Sequence, residues 1–89
     1  MTHPYLEVTY RHGRPLAAYY YLRERGRAKS VRTRRVEPGM IVDFNARGEA
    51  LGIEITAPAQ VTMASLNRLL RELGCAPLRR ADFEPLRAA

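Results

Sequence analysis

Four side chains are spaced as though to hold a cation. Asp43, Asn45, Gly48 and Glu54 reproduce most of a D-x-N-x-x-G…E calcium loop, in which alternate oxygens and a distal carboxylate converge on one ion. The match fails on its own residues. Arg47 puts a cation where a ligand oxygen is needed, and the flanks VDF and ALGIEI alternate like strands where a calcium loop requires helices. In a hairpin, Asp43 and Glu54 would also stand several residue pairs apart, so the expectation is a turn with Gly48 at positive φ and no metal. Acid–base catalysis needs paired carboxylates, or a carboxylate and a histidine, in a shielded hollow. His3 lies near the start of the chain and His12 in a turn, neither beside such a partner. Cys75 follows a helix, away from the N-terminal dipole that would activate a thiol. No catalytic constellation is visible, and the sequence reads as a binding module without a cofactor.

The basic residues are the second chemical resource. Between Arg11 and Arg35 stand nine Arg or Lys against Glu24 alone, whereas the next segment, from Val36 to Val61, is net acidic. Arg23, Arg25, Arg27 and Lys29 recur at period two, and Arg32 and Arg34 do so again, so extended chain would project cations in rows. With Tyr19 and Tyr21 exposed on an adjacent strand, such rows would offer charges to phosphates and rings to bases. The bland counterpart is a solvated face: fourteen of the fifteen cationic residues are arginine, and alanine is abundant, as a GC-rich genome alone would produce.

These residues need a scaffold. Eighty-nine residues allow one small core, and 46% hydrophobic with 27% charged residues is ordinary globular composition. One cysteine forms no internal disulfide, which fits a reducing compartment, and neither a signal segment nor a membrane span is apparent. The expectation is a cytoplasmic protein.

Tyr5 to Tyr10 alternates as a one-sided strand, and RHGRP marks a turn. Leu16 to Leu22 is apolar on both faces: Leu16, Ala18, Tyr20 and Leu22 on one, Ala17, Tyr19 and Tyr21 on the other. A strand of that kind is covered twice. Ala28 to Val36 reads as a third, polar strand after a loop at Arg23 to Arg27. MIVDFNARGEALGIEI is a hairpin with a four-residue loop at Asn45 to Gly48, pairing Phe44 with Glu49, Val42 with Leu51 and Met40 with Ile53. From Thr62 the period becomes 3.6: Leu66, Leu69, Leu70 and Leu73 form a stripe, with Thr62 as N-cap and Gly74 just beyond the end. Asn67, Arg68, Arg71 and Glu72 fall on the wet side. Residues 75–89 show no period. The predicted fold is α+β: one antiparallel sheet of four to five strands within residues 4–56, and one amphipathic helix, residues 62–73, on one face.

AAYYYL at Ala17 to Leu22, VRT at Val31 to Thr33, and above all VDFNARGEALGIEI at Val42 to Ile55 resemble a small prokaryotic family known only as a domain of unknown function. Its members share a tyrosine-rich A-A-Y-I-Y-L strand and a D-x-D-x-x-G-x-x-x-GIEI hairpin. The similarity spans roughly residues 8–56 and implies a small antiparallel sheet, no catalytic residue, and a role as a partner protein, including antitoxin-like roles. The chain departs from the pattern in two places, RHGRPL replacing an acidic turn and Asn45 replacing Asp. Because the helix covers one side of the sheet, Tyr19 and Tyr21 call for a cover on the other, and a second copy is the simplest. The expected function is therefore a protein-interaction module, as homodimer or partner of another small protein. The alternative is a nucleic-acid-binding sheet using Arg23, Arg25, Arg27, Lys29, Arg32 and Arg34.

Overall fold

A computed structural model describes residues 4–24 and 29–87. Five strands, β1 (Tyr5–Arg11), β2 (Arg14–Tyr21), β3 (Arg32–Val36), β4 (Met40–Phe44) and β5 (Ala50–Ile55), form one antiparallel sheet in the order β1-β2-β5-β4-β3. The helix α1 (Met63–Glu72) lies against one face, so the α+β expectation holds. The core is the apolar parity of each strand: Ala18 and Tyr20 from β2, Met40, Val42 and Phe44 from β4, and Ile53 and Ile55 from β5, closed by Leu66, Leu69 and Leu70 of α1.

The turns follow their residues. His12 and Gly13, with φ of 52° and 75°, form the two-residue connection between Arg11 and Arg14, as a primed hairpin turn requires. At the second hairpin the register differs from expectation. Phe44 pairs with Ala50, Val42 with Ile53 and Met40 with Ile55, with an irregularity between Asp43 and Phe44. The reason is Asn45. Its backbone N–H donates to Glu49 O (2.9 Å), and its Oδ1 accepts from Arg47 and Glu49 N–H (3.0 and 2.9 Å). The loop thereby shortens to residues 46–48, with Gly48 at φ 80° accepting a conformation that strains other residues. Leu51 becomes the unmatched residue of a bulge. The resulting offset of two residues leaves side-chain parity intact, so the apolar faces still coincide.

The third strand is shorter than the sequence suggests, beginning at Arg32. Phe44, the last residue of β4, pairs with Arg32, and its carbonyl accepts one further bond from Val31 N–H (2.9 Å), after which the ladder ends. Ala28 lies outside the described residues.

Thr62 caps α1 reciprocally with Ser65, each side chain binding the other's backbone N–H at 3.0 Å. At the far end Cys75 N–H reaches Leu70 O and Gly74 N–H reaches Arg71 O, the paired bonds of a Schellman closure. The segment beyond is not irregular throughout, as its lack of period implied. It contains a short helix α2 (Arg80–Phe83) and a 3₁₀ turn at Glu84–Leu86, and buries Leu78, Phe83 and Leu86 in the core. Asn67, assigned to the wet side, is half-buried and binds the backbone of Leu78 from both ends of its amide, accepting at 2.8 Å and donating at 3.4 Å.

Candidate functional site

The sheet has two faces of opposite chemistry, fixed by strand parity. On the side away from α1 stand Tyr5 and Glu7 from β1, Tyr19 and Tyr21 from β2, Gly52 and Glu54 from β5, and Asp43 from β4. Tyr5 and Tyr21, directly opposite in register, stack with centroids 4.6 Å apart and planes inclined by 15°. Tyr19 meets Tyr21 at the same centroid distance but tilted by 52°. The row ends in carboxylates. Tyr21 Oη donates to Glu7 (3.0 Å), and Tyr19 Oη reaches across β5 to Asp43 (2.7 Å), which also accepts from Ser30 Oγ (3.2 Å).

That reach depends on Gly52. A β-carbon placed there would stand 2.3 Å from Cε1 of Tyr19, so only a residue without a side chain lets the ring lie across the strand. The sequence showed the tyrosines and the glycine but not their crossing, because Tyr19 pairs in register with Glu54 and leans over a diagonal neighbour. Tyr19 and Tyr21, the expected interface residues, therefore do sit together. They are half-buried within an aromatic and acidic surface.

The arginine rows fall elsewhere. In the sheet order β5 and β4 separate β2 from β3, so the tyrosines and β3 are not adjacent. Arg32 pairs with Phe44 and Arg34 with Val42, which places both on the α1 side of the sheet, opposite Tyr19 and Tyr21. The guanidinium of Arg32 covers the Phe44 ring at 4.6 Å. Together with Thr33, Glu72 and Leu73 these residues line an open hollow of about 540 Å³ between the sheet edge and the end of α1. Arg23 forms an ion pair with Glu49 at 2.9 Å. Lys29 is exposed, and Arg25, Arg27 and His3 lie outside the described residues.

The side chains of the calcium-like spacing have other partners. Asn45 Nδ2 donates to Glu49 (2.9 Å), and that bond, followed by the Arg23 contact, holds the Glu49 carboxyl below its ordinary range. Asp43 serves Tyr19 and Ser30, while Glu54 occupies an exposed position of β5 opposite Ile41, several pairs from the turn.

A second hollow, about 510 Å³, lies where Pro4, Tyr5 and Leu6 face the tail, lined also by Tyr20, Pro77 and Asp82. Burial, reinforced by the neighbouring Asp82 and Cys75, pushes the Tyr20 phenol above its usual pKa and keeps it protonated.

Compared with models of protein families, with curated proteins and with solved structures, the chain finds no match in any of the three. Among the described residues no helix is long and apolar enough to cross a membrane.

Proposed function

We propose that this chain is a non-catalytic protein-interaction module of the cytoplasm. It acts as a homodimer or as an antitoxin-like partner of another small protein, the role implied by its resemblance to a small prokaryotic family of domains of unknown function. The observation that carries this reading is the row Tyr5, Tyr21, Tyr19 on the sheet face away from α1, held by its own stacking and by Glu7 and Asp43. Stacked, hydrogen-bonded tyrosines lose little further freedom on binding and supply large contact areas, which is why interfaces are enriched in them. Glu7, Asp43 and Glu54 set carboxylates around the tyrosine row, while Arg11 and Arg35 stand at the two edges of the same face, so the row itself suits cationic groups of a protein partner.

The test is a photo-crosslinking residue at Glu54, on this face, compared with the same residue at Arg68, on the exposed side of α1. A discrete protein adduct from position 54 and none from 68 is expected. Adducts from 68 alone would overturn the assignment.

A second reading keeps the basic strand as a nucleic-acid contact, and what favours it is specific: Arg32, Arg34 and Arg35 are all exposed on a five-residue edge strand. It operates without the tyrosines. Anisotropy of labelled single and double strands, at about 50 and 200 mM salt, decides it. Binding that collapses with salt and is lost in Arg32→Glu/Arg34→Glu supports it, and no binding at the lower salt removes it.

A further inference from the structure

A five-stranded open sheet has two edges, here β1 and β3, and their side chains treat a second copy in opposite ways. Strand β3 places Arg32, Arg34 and Arg35 within five residues. Paired antiparallel with its own copy about its middle residue, it would oppose Arg34 to Arg34, and like charges directly opposite destabilise a ladder. Cationic side chains on an edge are a common device against such pairing.

Strand β1, YLEVTYR, behaves differently. A two-fold axis perpendicular to the sheet keeps each face on its own side. Residues that meet across it therefore have equal parity, and the only arrangement using all of Tyr5–Arg11 is centred on Val8. On the α1 side that register brings Leu6 against Tyr10 twice and Val8 against Val8. On the other side Glu7 meets Thr9 and Tyr5 meets Arg11, an aromatic ring against a guanidinium. No like charges oppose each other. Moving the centre to Glu7 would set Glu7 against Glu7, and moving it to Thr9 would leave only residues 7–11 paired.

Tyr10 supplies a second observation. It is 47% exposed, one of three large hydrophobic side chains so placed among the described residues, yet its hydroxyl is fastened to Pro85 O at 3.1 Å. The ring is thus held at the sheet edge, where Leu6 of a second copy would cover it.

We infer that two copies of this chain join edge to edge along β1, about Val8, into a continuous ten-stranded sheet with both α1 helices on one side. The inference rests on the interaction-module reading and names a second copy as a partner. The tyrosine face remains available to a protein of another kind.

The test is sedimentation of the whole chain at low salt. Wild type is expected to dimerise. Thr9→Lys places a lysine against Glu7 of the other copy twice, and should tighten the dimer severalfold. Adding Glu7→Lys opposes like charges and should return a monomer with an unchanged circular dichroism spectrum. Wild type remaining monomeric at several hundred micromolar, or Thr9→Lys weakening the dimer, would overturn the β1 register.

If the double variant does not fold, spin labels on Thr9→Cys or Arg35→Cys, each with Cys75→Ser, decide the question. Labels at 9 should lie close together, while labels at 35 should stand roughly 43 Å apart, nine strand spacings of about 4.8 Å. A short distance at 35 instead would place the contact on β3. A monomer would refute the edge pairing, yet leave the crosslink from Glu54 to judge the tyrosine face by itself.

Discussion

The hydroxyl of Tyr19 donates to the carboxylate of Asp43 from two strands away, with the ring lying over Gly52 of the strand between them. One bond thereby ties β2, β5 and β4 together on the face that α1 does not cover.

Gly52→Ala should break that tie. Its methyl would meet the Tyr19 ring far inside contact distance, so the ring must swing out and release Asp43. Overpacking of this kind costs about 1 to 3 kcal/mol. Urea denaturation should show the loss in wild type, and a clearly smaller one in a Tyr19→Ala background where nothing is displaced. Equal losses in both backgrounds would mean that the glycine serves the backbone and not the ring.

Asn67→Ala should loosen the tail before it unfolds the sheet. The N–H of Leu78 loses its acceptor while still shielded by the chain around it, which costs about 1 to 3 kcal/mol. Limited trypsin digestion should then cut at Arg79 and Arg80 markedly faster. Unchanged cleavage would show that Leu78, Phe83 and Leu86 hold the segment without the amide.

Glu49 sets an acid dependence. Its carboxyl titrates below the ordinary 4.5, first through the Asn45 amide and then through Arg23. A lowered folded pKa means that the unfolded chain binds the proton more readily. The stabilisation is therefore present above the unfolded value and disappears as pH falls through the folded one. Denaturation midpoints of wild type should drop relative to Glu49→Gln on acidifying below about pH 4.5, and run parallel to it near neutrality. Parallel curves throughout the acid range would dismiss the contribution.

What the sequence disclosed was whatever periodicity controls. The alternation of Met40, Val42, Phe44, Ile53 and Ile55, and the stripe Leu66, Leu69, Leu70, specify the sheet, the helix and the face on which they meet. Thr62 and Gly74 mark the helix ends because capping is local chemistry. The register of the second hairpin was not legible, since it turns on Asn45 choosing Glu49 as its partner. Nor was the tail: Leu78, Phe83 and Leu86 follow no period because two short turns position them separately. For the candidate site, the pattern placed Tyr19 and Tyr21 together on one face. It could not show that β5 and β4 intervene before β3, because strand order is a property of the folded sheet. The cationic row and the aromatic row consequently became two surfaces.

Arg87 lies over the Phe83 ring and donates to the carbonyls of Pro58 and Val61, on the segment leading from β5 into α1. The residues that finish the core thus follow the sheet and α1 in chain order. A chain interrupted just after Leu73 would hold all five strands and α1 but lack Leu78, Phe83, Leu86 and Arg87, leaving the core open on that side. Apolar surface exposed in this way makes a partly folded protein prone to aggregate.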